Sequence, residues 1–293
     1  MAGQGKKGRK RKVLSSLPLE RNPQRTGGKE MTERKGIVHG MPNDIYHGGQ
    51  EISNSALSAA CRSLAHYQAY LQNGSGIGEK TALDGNIIHT SILEPTELWK
   101  RYAIGPTVDK RTKAGKEEWL AFQEVNEGKE VITAEQGEMA TSVLNNVTGD
   151  DAVLELLEHG KPEASIFWND AESGLDCRCR PDWLGIDTII DVKSTDDARQ
   201  FAKSVMQYGY HRQQSFYMEG AGALDLGIER FLFLVVEKKP PFGFMIYELD
   251  LDLVEYGWAQ WRSALNAIAQ AKFSGEWPGY SSDIQAVAKP AWL

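Results

Sequence analysis

Six residues restrict this chain more than any others. Thr188-Ile189-Ile190-Asp191-Val192-Lys193 begins as an apolar strand and then takes on an acid and a base two positions apart. Alternate residues of a strand share a face, so Asp191 and Lys193 point one way while Ile190 and Val192 point to the core. Charges on a buried strand are costly unless they meet partners. Upstream, Pro181-Asp182 lies across a turn at Gly185–Asp187 and brings in a second carboxylate. Two carboxylates in one pocket repel each other unless a divalent cation holds them, and hard Mg²⁺ prefers such oxygen sites. Phosphodiester hydrolysis uses such a group, with the metal polarising the phosphoryl group and acidifying the attacking water. The Lys ammonium would orient that water or stabilise charge on the phosphate. Asp-x-Lys alone also fits a solvated pair in a surface hairpin, and that reading stays open at this point.

The rest of the chain has to supply a core for that strand. Ser53 is an N-cap for a helix over Asn54–Leu71, and a second helix is expected over Ala82–Leu93, stopped by Glu94-Pro95. A charged connector (107–118) leads into a helix carrying Trp119 and Phe122. Thr133 with Gln136 forms a capping box for Ala134–Asn146. After Gly160 the period turns from helical to alternating. Ala164–Trp168, Leu175–Pro181 and Thr188–Val192 read as strands, the second ending near Asp182. A long helix over Ala198–Leu224 follows, then strands Arg230–Glu237 and Phe244–Leu249 and a helix over Leu253–Lys272. This order predicts an α/β fold: a mixed central sheet flanked by helices, with a helical N-terminal part. There is no internal repeat.

Charge is unevenly placed. Residues 1–35 hold 11 Lys/Arg and 3 Asp/Glu, whereas residues 36–293 hold 22 and 37. The first stretch is too poor in apolar residues to offset its ordering entropy, so 1–35 is expected to be a disordered basic tail and 36–293 the folded domain. Lys6–Lys12 fits a solvated tail or a nonspecific DNA-binding arm. No apolar run reaches the roughly 18–20 residues of a membrane span. The basic N-terminus lacks the apolar stretch of a signal peptide, and three cysteines are too few for a disulfide framework. An intracellular, cytoplasmic protein is expected, with no membrane partner.

At these residues the chain resembles the PD-(D/E)XK nuclease superfamily, and within it the exodeoxyribonuclease VIII (RecE-type) exonucleases of phages and prophages. The shared motifs, in order, are ISNSAL (52–57), GNIIH (85–89) with LEP (93–95), RTKAGKEE (111–118), VITAE (131–135), EASIFW (163–168), CRCRPD (177–182) and YHRQQSFY (210–217). The likeness spans about residues 37–292 and implies a restriction-endonuclease-like core. It also implies roles. His89, Asp182 and Asp191 would be metal ligands together with the Val192 carbonyl, and Lys193 would be the catalytic lysine. Gln213 and Tyr217 match a Gln-x-x-x-Tyr motif, one helical turn apart. Glu163 would reach the metal pocket or stay solvated at a sheet edge. Arg178 and Arg180 share a face with Asp182 and would contact phosphate, leaving Cys177 and Cys179 to the core. Arg111, Lys113 and Lys116 would contact the DNA backbone or its 5′ end. No C-terminal cysteine cluster is present, so the iron–sulfur variant of these nucleases is not expected.

The resemblance implies a Mg²⁺-dependent enzyme, with Mn²⁺ as a substitute, acting on double-stranded DNA ends in the host cytoplasm. It would degrade one strand 5′→3′, leave a 3′ single strand for an annealing protein, and work as a homo-oligomeric ring, taken as a tetramer. A RecB-like or CRISPR-associated nuclease of different polarity would share the pocket. A catalytically inactive DNA-binding recombination module is the alternative of another class, opposed by the presence of His89, Asp182, Asp191 and Lys193. A phosphate-metabolising enzyme ranks last, since the chain lacks a G-x-x-x-x-G-K-[ST] loop.

Overall fold

The computed structural model describes residues 34–74 and 79–289, and all but the last two residues of the expected basic tail lie outside them. The strands among the described residues are β1 (Gly36–Val38), β2 (Tyr102–Ile104), β3 (Glu130–Ile132), β4 (Gly160–Pro162), β5 (Ser165–Asn169), β6 (Asp176–Cys179), β7 (Trp183–Gly185), β8 (Thr188–Thr195), β9 (Arg230–Glu237) and β10 (Phe244–Tyr247). The helices are α1 (Asn43–His47), α2 (Asn54–Arg62), α3 (Leu64–Asn73), α4 (Glu79–Leu93), α5 (Leu98–Arg101), α6 (Lys113–Val125), α7 (Ala134–Thr148), α8 (Asp151–Leu156), α9 (Phe201–Tyr208), α10 (Tyr210–Gly222) and α11 (Leu251–Ser274).

β8 and β9 lie side by side in a five-stranded mixed sheet, ordered β10-β9-β8-β7-β4, and run parallel with Asp191 opposite Phe233. A parallel pair needs a crossover, which α9 and α10 supply. Both strands are buried on both faces, which is why their sequences run apolar almost without a break. One face carries Ile190, Val192, Leu232 and Leu234 against Ile88 and Ile92 of α4 and Val143 and Val147 of α7. The other carries Ile189, Phe231 and Phe233 against Phe201 and Val205 of α9. Asp191 and Lys193 continue that second face. A separate antiparallel sheet, β1-β5-β6, sends Ile166, Trp168, Cys177 and Cys179 into a cluster with Phe216 of α10 and Trp261 of α11. Cys177 and Cys179 are thus core residues, as expected.

The mixed α/β architecture and the predicted caps are present. Ser53 Oγ accepts the Ala56 N–H, and Thr133 and Gln136 form the reciprocal capping box. Three expectations are corrected. The helix read over Ala198–Leu224 is broken at Gly209, which sits in left-handed backbone (φ 73°, ψ 37°) and ends α9. A Cβ there would lie 2.1 Å from the Arg212 guanidinium, so no side chain fits without a shift. The helix read over Asn54–Leu71 is broken at Ser63, whose extended backbone ends α2 and whose Oγ caps α3 through the His66 N–H. The strand read over Leu175–Pro181 stops at Cys179, because the chain crosses there from one sheet to the other. Asp182 therefore stands at the crossing, just before β7, rather than at the end of that strand.

Candidate active site

The Asp191 side chain is 2% exposed. Its Oδ2 accepts a hydrogen bond from Gln213 Nε2 at 2.5 Å, and its Oδ1 is ion-paired with the Lys193 ammonium. Burial pushes the Asp191 carboxyl up to about 6; Lys193 pulls against this and nearby Asp182 adds to it. Burial would depress the Lys193 ammonium, but Asp191 and Asp182 outweigh it and hold its pKa above the ordinary lysine value. Lys193 Nζ also lies 4.7 Å from the centre of the Tyr210 ring, a cation–π contact the sequence reading missed. The signal was available, because Tyr210 lies three residues before Gln213 on one helix face.

Asp182 is brought to this pair by backbone. Its Oδ2 accepts the Val192 N–H at 2.7 Å, tying the sheet crossing to β8. In an extended strand a residue's N–H and C=O leave on the same edge, so the Val192 carbonyl faces the Asp182 side. His89, on α4 between core residues Ile88 and Thr90, points its Nδ1 to Asp182 Oδ1 at 3.6 Å. Tyr217 lies a turn beyond Gln213, edge-on to Phe231, and burial keeps its phenol far above the usual range, with Tyr46 and Asp191 adding.

Glu163 occupies the break between β4 and β5 in left-handed backbone (φ 49°), and its N–H donates to the Asp182 carbonyl. Its carboxylate is half exposed and lies 3.9 Å from Arg180 Nη1. The two arginines expected to contact phosphate already have partners within the fold. Arg178 is buried, paired with Glu51 at 3.2 Å and donating to the Tyr46 and His47 carbonyls. Arg180 donates to Ser165 Oγ, Asn43 Oδ1 and the Met41 carbonyl. Both guanidiniums flank the Tyr46 ring, at 4.9 and 4.0 Å, and so fasten the segment around α1 to β6. Arg111 forms a two-point pair with Asp109, while Lys113 and Lys116 stand exposed at the start of α6. Lys110 lies over the Trp119 ring at 2.9 Å, another contact not foreseen.

Among the described residues, no three His, Cys, Asp or Glu side chains converge as a ready-made metal centre. The donor types nonetheless fit a hard divalent cation: the carboxylates of Asp182 and Asp191, the Val192 carbonyl and the His89 imidazole. Asp182 and Asp191 are close enough that each carboxylate disfavours the charge of the other, a repulsion that a bound cation would relieve.

A family model described as "PDDEXK-like domain of unknown function (DUF3799)" matches residues 53–290. No curated protein matches the sequence. A crystal structure described as "Putative exonuclease" from Eubacterium rectale superposes with a TM-score of 0.58 at 12% identity, covering 85% of this chain and 95% of that one. The likeness shows the same fold, a mixed sheet between helices.

Proposed function

This chain belongs to the PDDEXK-like family DUF3799, and from that premise we propose that it is a Mg²⁺-dependent exodeoxyribonuclease that degrades linear double-stranded DNA from its ends. One observation carries the reading: a buried carboxylate and an ammonium two residues apart on β8, with Gln213 holding the carboxylate and Val192 N–H holding a second carboxylate beside it. Asp182, Asp191, His89 and the Val192 carbonyl would hold the cation, with Mn²⁺ as a substitute. When bound, the ion polarises the phosphoryl group and acidifies water. Lys193 places positive charge where the phosphate becomes more negative, in a site that excludes most water. Gln213 fixes the Asp191 carboxylate in one rotamer. The neutral Tyr217 closes the apolar wall behind it.

The finer reading follows the family likeness. Digestion runs 5′→3′, leaves 3′ single strands for an annealing protein, and proceeds within a homotetrameric ring. Contacts through the DNA backbone give little sequence preference. A non-catalytic DNA-binding module gains support from one observation, that Asp191 is already charge-paired with Lys193. Incubation of linear duplex, labelled at the 5′ or the 3′ end, with protein and Mg²⁺ separates these readings. The expected result is early release of the 5′ label as mononucleotide, no cutting of closed circles, and arrest by EDTA. Cutting of closed circles would replace the reading with an endonuclease, and inertness toward every DNA would leave the binding module.

A further inference from the structure

We propose that a pocket beside Lys193 receives the nucleobase next to the scissile phosphate, with Tyr208 as its stacking platform; this rests on the nuclease reading above. The cavity, about 270 Å³, opens at the C-terminal end of β8 between Lys193, Ser194, Ser204, Tyr208 and Tyr210. It lies just below the roughly 300–1,000 Å³ of small-molecule sites, a size suited to one nucleoside.

Its wall is an aromatic stack that begins in the core. Tyr247 stacks on Phe201 at 5.0 Å, Phe201 on Tyr210 at 5.6 Å, and Tyr210 lies 5.7 Å from Tyr208. The inner rings have partners on both sides, but Tyr208, the outermost, is 56% exposed. The open end of such a stack presents a π-face, which every base can cover whatever its sequence. Lys238 lines the same cavity and shares Asp196 with Lys239, at 3.4 and 3.2 Å, so a flanking phosphate would meet ammonium groups there. A phosphodiester at Lys193 brings its neighbouring base to this wall, since Lys193 itself lines the cavity.

The test uses the full chain as wild type, Tyr208→Ala and Tyr208→Phe, with a duplex carrying 2-aminopurine at its 5′-terminal nucleotide. Binding in EDTA reads affinity and fluorescence quenching; steady-state digestion in Mg²⁺ reads KM and kcat. Wild type and Tyr208→Phe should quench the probe. Tyr208→Ala should lose the quench and weaken affinity and KM by roughly 10- to 100-fold, the usual effect of removing one base-stacking ring, while circular dichroism stays that of wild type. Unchanged KM and quenching in an active Tyr208→Ala protein would overturn the pocket assignment alone. A wild type that cleaves no DNA would overturn the nuclease reading and this inference with it.

Discussion

Gln213 and Asp191 face each other across the packing of α10 on β8, with the Gln213 amide donating to Asp191 Oδ2 at 2.5 Å. The contact joins a helix to a strand 22 residues earlier and fixes a carboxylate that is buried against an ammonium.

Removing this donor frees the carboxylate to rotate without taking away a reacting group. Gln213→Ala should cut kcat on linear duplex by about 10-fold with KM nearly unchanged, in line with the roughly 1–3 kcal/mol cost of stranding a buried acceptor. Gln213→Glu should be worse, because it sets a second negative charge beside Asp191. Steady-state digestion of both variants checks the order. Equal activity in the two would mean that the amide does not position Asp191.

Arg178 should behave as a structural residue. Arg178→Ala leaves Glu51 buried without its guanidinium, a change that costs about 3 kcal/mol. Thermal unfolding should fall by roughly 6–12 °C, while the salt dependence of DNA binding stays that of wild type. A flattened salt dependence at unchanged stability would restore Arg178 to phosphate contact.

Lys113 and Lys116 should behave in the opposite way. Both stand exposed at the start of α6. If each neutralises one phosphate, replacing both by Ala flattens log Kd against log salt by about 1.8, from roughly 0.9 per contact. Melting temperature should not move. Fluorescence anisotropy across a salt series measures the slope, and an unchanged slope would leave these lysines as solvated helix surface.

Asp170 is a buried carboxylate whose protonation should weaken the fold. Burial would raise its carboxyl, but the Ser173 hydroxyl and N–H and the Arg262 guanidinium outweigh it and hold the pKa below the ordinary value. A depressed folded pKa contributes stability that is present above the unfolded value of about 3.9 and lost as pH falls through the folded one. Asp170→Asn should therefore be about 3 kcal/mol less stable than wild type at pH 7 and still so at pH 5, with the gap closing below pH 4. Urea unfolding at those pH values measures it; a gap independent of pH down to 2 would contradict the assignment.

The chemistry-bearing strand was legible because its signals are local. Period-two alternation placed Asp191 with Lys193, whereas Gln213 and Tyr217 stood out only through the family motif they match, their spacing adding that they share a helix face. What escaped depends on distant chain. Nothing near Arg178 and Arg180 in the sequence announces their partners, because Glu51, Met41, Asn43 and the Tyr46 ring come from more than a hundred residues upstream. Asp182 was misplaced because no local signal marks a strand that leaves one sheet for another. Gly209 was passed over since a single glycine costs a helix only about 1 kcal/mol, and its left-handed conformation here is set by the packing of α9 and α10 on either side.

The central claim is that Asp191 and Lys193 act on a phosphodiester and are not merely a buried ion pair. Lys193→Ala, measured beside wild type by release of acid-soluble nucleotides from linear duplex in Mg²⁺, tests it most directly. The account predicts loss of at least about 100-fold in rate, equivalent to about 2.7 kcal/mol of barrier, with the circular dichroism spectrum of wild type. Full activity in Lys193→Ala would contradict it.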